Sequence, residues 1–119
     1  MTPASFTSQT SQPLPSLIGG DFPRVTRLVT IVGGSGVLAA GAVLGRIAAS
    51  KRYALSAAMA SDGSEAPRAI LAEPVDATAA DVEAIVYVAG EFNPDQLTFG
   101  AGHSAASVAD ALRDLSIFL

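Results

Sequence analysis

The strongest candidate for chemistry is the stretch VTIVGGSGVLAAGAVLG, residues 29–45. Gly34-Ser35-Gly36-Val37-Leu38-Ala39 fits the G-x-G-x-x-G/A dinucleotide fingerprint, and Gly36 to Gly41 has the glycine spacing of a phosphate loop. Such a site needs a strand, then glycines that let backbone N–H groups approach a pyrophosphate, then a helix whose N-terminus faces it. Strand and glycines are present, and Asp62 lies about where a ribose-binding acid belongs. A helix over residues 37–50 would carry Gly41 and Gly45 in its interior, each costing about 1 kcal/mol relative to Ala. The phosphate-loop version lacks its Lys-Ser/Thr pair, because Ala42 and Val43 follow Gly41. Too little chain remains for a doubly wound sheet. A small nucleotide-binding module using the Gly-rich turn 33–41 is therefore the alternative reading, and the favoured one is architectural. Gly33, Gly34 and Gly36 turn the chain after the first strand, and Gly41 and Gly45 mark a bulge, a bend or a close backbone approach.

Other reactive groups are scattered. His103, the single histidine, has no second ligand or nucleophile at a useful spacing and reads as a polar residue near a helix cap. Glu73, Asp76, Asp81 and Glu83 lack the spacing and central glycine of a calcium loop, so a solvated turn is expected. Tyr53, Tyr87, Phe92, Phe99 and Phe118 fall one per element, as core or interface residues do. No catalytic residue, metal site or cofactor is expected.

Positioning any site falls to a chain of 119 residues, room for one domain or a domain with a tail. Half the residues are hydrophobic, mostly Ala and Val, and only 15% are charged, so most of the chain should pack. A core of small side chains buries little area per residue, and help from oligomerisation would suit it. The net charge of −4 and the lack of any basic run beyond Lys51-Arg52 argue against nucleic acid. The absence of cysteine excludes disulfides and thiolate metal sites. The N-terminus has neither the basic nor the apolar region of a secretory signal. Residues 28–45 carry no charge but are glycine-rich, slightly short of the ~20 residues of a spanning helix, and β-branched at their start, so no membrane partner is expected.

Residues 1–20 are rich in Ser, Thr, Gln and Pro, with apolar residues at Phe6, Leu14, Leu17 and Ile18. Such a segment cannot offset its ordering entropy alone. It is either an idle tail or an arm that orders on a partner, with Pro13 and Pro15 keeping it extended. The folded domain is expected over 21–119. Strands are predicted in the runs 24–32, 41–50, 52–59, 68–75 and 81–90, with Asp62-Gly63 as a tight turn and Pro74 at an edge or bulge. The last strand is the clearest: Val82, Ala84, Val86 and Val88 share one face, and Glu83, Ile85 and Tyr87 the other. Residues 103–115 switch to helical period, with Val108, Leu112 and Leu115 on one face. Ser107 with Asp110 resembles a capping box, and Ser104 is the other candidate cap. The chain closes on the strand-like SIFL. Together these predict a mainly β fold with one short C-terminal helix.

Several stretches in order resemble the bacteriophage head decoration proteins of the lambda capsid-stabilising family: GGDFPRVT, GGSGVLAAGAVLGRI, KRYALSAAMASDGSEAPRAILAEPVDATAAD, GEFN and LRDLSIFL. The resemblance spans residues 19–119. It implies a β-clip-like bent ribbon or small incomplete barrel, assembled as a homotrimer. It implies a structural rather than enzymatic protein, made in the host cytoplasm and carried on the capsid exterior. There it would bind the major capsid protein at three-fold and quasi-three-fold positions after expansion, bracing the shell against DNA pressure. By position, residues 2–20 match the family's capsid-binding arm, which makes Phe6, Leu14, Pro15, Leu17 and Ile18 the candidate anchors.

Overall fold

The computed structural model describes residues 23–119. The strands are β1 (Val25–Ile31), β2 (Gly36–Leu38), β3 (Val43–Arg46), β4 (Tyr53–Leu55), β5 (Pro67–Leu71), β6 (Val75–Ala77), β7 (Val82–Glu91) and β8 (Ile117–Phe118). The helix α1 (Ala105–Arg113) precedes β8.

The two longest strands set the frame. β1 and β7 pair antiparallel from Val25–Ala89 to Ile31–Val82, with one irregularity beside Val25. The sheet runs β1-β4-β3-β5-β7, and β7 returns to β1, so five strands close into a small barrel. The β1–β4 contact is a single parallel bridge, Ile31 to Tyr53. β8 lies parallel to the end of β7, and β2 pairs with β6 in a separate two-stranded sheet.

Side-chain alternation gives the barrel wall two apolar faces. On β3, Leu44 points into the barrel and Val43 to the outside; on β5, Ala69 and Leu71 point in and Ile70 out. On β7, Ala84 and Val86 are buried inside, with Val82 and Val88 packed beside them, while Glu83 and Ile85 stay exposed. Tyr87, on the outward face, packs into a second core of Val43, Ile70, Phe92, Leu97, Val108, Leu112 and Ile117. The helix α1 covers that core.

Three predicted strand runs shorten, that of 68–75 ending with β5 at Leu71 before β6 begins at Val75. Residues 41–50 yield only β3, because the chain turns after Arg46: Lys51 N donates to Ile47 O at 2.8 Å, and Lys51 takes a positive φ of 64°. Residues 52–59 yield only β4, since alanine-rich sequence carries little strand preference of its own. Of the two candidate caps, Ser104 starts the helix: its hydroxyl accepts from Ser107 N at 3.4 Å, and Ser107 Oγ accepts from Ser104 N at 2.8 Å. Asp110 lies within α1. The helix ends at Arg113, so Leu115 leaves the expected apolar face and is exposed.

Gly45 shows the close approach expected of it. The β3–β5 register slips between Leu44 and Gly45, leaving Arg68 as the extra residue of a β-bulge. A Cβ on Gly45 would run into the backbone carbonyl of Ser64.

Candidate functional site

The Gly-rich turn is tied down by its own neighbours. Gly33 and Gly34 lie in the turn after β1, and Gly36, with φ of 81°, opens β2. Gly33 N donates to Asp81 Oδ1 at 2.7 Å, and Gly34 N donates to Ala77 O at 2.7 Å. Gly41 N donates to Leu71 O at 2.8 Å. Amides that would have cradled a phosphate are thus already engaged, one of them by a carboxylate that would repel it. The segment that follows is strand, with no helix N-terminus to face an anion. Asp81 also pairs with Arg52 Nε at 3.0 Å, so it fastens the turn to the start of β4.

Asp62 and Gly63 sit in the loop between β4 and β5. Asp62 Oδ1 accepts from Ser64 Oγ at 2.6 Å and from Ser64 N at 3.0 Å. These bonds, the hydroxyl first, hold its carboxyl below the ordinary aspartate range. Gly63 takes a φ of 105°, which only glycine adopts without strain. Asp76 is built the same way, with Thr78 Oγ1 at 2.6 Å and Thr78 N at 3.0 Å, and its pKa is lowered by the same causes. These carboxylates stabilise turns. His103 joins the Asp62 loop to α1: Nε2 donates to Glu65 O at 2.9 Å, and Nδ1 lies 3.1 Å from Ser107 Oγ. Among the described residues no three His, Asp or Glu side chains gather as a metal site.

Phe6, Leu14, Pro15, Leu17 and Ile18 lie outside the described residues. The aromatic residues divide between the cores: Tyr53 belongs to the barrel interior, and Tyr87, Phe92 and Phe99 to the core under α1, with the Tyr87 and Phe92 rings 5.2 Å apart. Phe118 pairs through its backbone with Glu91 in the β8–β7 ladder. No helix among the described residues is long and apolar enough to cross a membrane, and residues 28–45 form strands and turns.

The fold gathers one group that sequence spacing does not reveal. Arg27 of β1, Arg46 of β3, Tyr53 of β4, Arg68 of β5 and Val88 of β7 line a concavity of about 330 Å³, together with Leu115. Every barrel strand contributes one residue, so the concavity is an open end of the barrel. Arg27 is exposed and Arg46 and Arg68 are half-buried. The bulge at Arg68 breaks the in–out alternation of β5 where that side chain joins the mouth. In sequence the three arginines are isolated, and only the strand order unites them.

The described residues thus form a small barrel-like sheet whose side-chain hydrogen bonds hold turns and the helix cap, with three arginines at one mouth. The family model of bacteriophage lambda head decoration protein D matches residues 6–118, and the chain belongs to that family. That family of phage head decoration proteins is a structural, non-enzymatic kind of protein, and membership implies a place on the virion capsid. None of the curated proteins compared with the chain matches it.

Proposed function

We propose that the chain is a homotrimeric cement protein that binds the outer surface of the expanded phage capsid at three-fold and quasi-three-fold positions. There it stabilises the shell against the pressure of packaged DNA. The observation that carries this reading is the family match, which spans nearly the whole chain. The physical features are consistent with it. The core cluster that fills the barrel and reaches the β2–β6 sheet includes four alanines, Ala42, Ala69, Ala77 and Ala84, and so small a core gains from area buried between copies. The acidic balance suits a protein that sits outside the shell and leaves the genome and membranes alone.

Residues 2–20 act as the capsid-binding arm, with Phe6, Leu14, Pro15, Leu17 and Ile18 as contact residues. An extended arm that adds a strand to a sheet edge draws affinity from main-chain hydrogen bonds and demands little of its own sequence. Many such sites on one lattice raise the overall hold through avidity. Deleting residues 2–18 tests this: the truncated chain should remain a folded trimer yet fail to co-sediment with expanded shells. Full binding by the truncated chain would remove the arm from the account.

A further inference from the structure

We propose that the arginine-lined barrel mouth is a docking site for carboxylates of a second copy of this chain, Glu73 and Glu83 of that copy being the groups it takes. The inference rests on the homotrimer proposed above and assigns its polar contact.

Three positive side chains share one concavity in a protein of net charge −4. Among the described residues the guanidinium groups of Arg27, Arg46 and Arg68 make no hydrogen bond or ion pair. Their charges repel one another beside the apolar groups of Val88, Leu115 and the buried Tyr53, where low polarity focuses the field. A planar guanidinium fork fits a carboxylate with two parallel hydrogen bonds. The site is therefore built for anionic side chains and is unsatisfied within the described chain.

The complementary surface is on the same molecule. β5 starts beside the mouth at Arg68 and runs toward Glu73, two residues past its end. The antiparallel β7 starts beside Glu83 and reaches the mouth at Val88. Ala72 N donates to Ile85 O at 2.9 Å, which holds Glu73 beside the start of β7 and hence near Glu83. Both glutamates are exposed, and among the described residues their carboxylates make no hydrogen bond or ion pair. Along β5 and β7 the chain thus presents the arginine mouth at Arg68 and Val88, and Glu73 and Glu83 toward the opposite ends of those two strands. Contact between two unlike patches repeats head to tail and closes into a ring when the rotation allows, which is the interface type a cyclic trimer requires.

Sedimentation equilibrium over a range of concentrations and salt tests this. Wild type should be trimeric, and dissociation of the trimer should rise with ionic strength. The R27E/R46E/R68E chain, folded by circular dichroism, should associate at least about tenfold more weakly, and neutral R27Q/R46Q/R68Q should shift in the same direction by less. Adding E73R and E83R to R27E/R46E/R68E reverses both patches and should restore self-association. A triple Arg→Glu variant that stays as trimeric as wild type overturns the interface and leaves the homotrimer standing. So does a five-fold variant that associates no better than the triple. If the triple variant stays trimeric but no longer binds shells, the mouth serves the capsid protein and the inference is wrong. Wild type that is monomeric throughout overturns the homotrimer reading itself.

Discussion

The barrel interior and the core under α1 share three strands but are enclosed in different ways. The interior face of β3, β5 and β7 packs Leu44, Ala69, Leu71, Ala84 and Val86 inside a ring of hydrogen-bonded strands. The outward face packs Val43 and Ile70 against Val108 and Leu112, and its cover is a helix of 9 residues and a strand of 2. A helix shorter than ~12–15 residues is marginal in isolation, so α1 depends on the two side chains it buries. The barrel should then open only with global unfolding, whereas α1 and β8 can open locally. The separation places the five strand residues of the arginine mouth on the part expected to be rigid, and Leu115, which joins α1 to β8, on the softer part.

The largest effect should come from breaking the barrel wall. Gly45→Ala forces a Cβ into the Ser64 carbonyl and should cost more than about 3 kcal/mol, measured by urea denaturation. Leu44→Ala and Leu112→Ala should each cost about 2–5 kcal/mol as cavities in the two cores. Hydrogen exchange separates them. Leu112→Ala should lose protection in α1 and β8 while β1 and β7 keep theirs relative to the rest, whereas Leu44→Ala should lower protection throughout. Equal loss everywhere for both variants would erase the distinction between the cores. Ser104→Ala removes the helix cap and should cost about 1 kcal/mol, confined to the α1 side.

The smallest effect is the acid response, which belongs to the loops. Asp62 and Asp76 have folded pKa values below their unfolded ones. Their contribution is therefore fully present above the ordinary carboxylate value and is lost as pH falls below about 4. Asp62→Asn and Asp76→Asn should flatten the fall of melting temperature over that acid range and leave its neutral-pH slope unchanged. A steeper acid slope in either variant would contradict the assigned hydrogen bonds.

Legibility in the sequence followed the physics of each element. β7 was plain because its alternation of Val82, Ala84 and Val86 against Glu83 and Ile85 reflects a wall with one buried face. The helix was visible in its period, but its limits were not: Ser104 and Ser107 compete as caps in sequence, and Leu115 keeps the period two residues beyond the last helical residue. The short β3 and β4 were blurred by alanine, whose small side chain satisfies several periodicities. The Gly-rich turn reads as architecture from what it lacks in sequence, whereas its bond from Gly33 to Asp81, 48 residues away, has no local signal. The arginine mouth was invisible. Lys51 and Arg52 are the adjacent basic pair, yet Arg52 binds Asp81, and the concentrated charge comes from Arg27, Arg46 and Arg68 on three strands. Strand order, which no local pattern encodes, creates that feature.

The central claim is that this barrel is a capsid cement. Its most direct test is cryo-electron microscopy of expanded, decoration-free heads of its own phage after incubation with the purified full chain. A cement protein gives added trimeric density on the outer surface at three-fold and quasi-three-fold positions, with heads that withstand higher temperature. Heads that remain bare at saturating protein, or density at other positions, would contradict it.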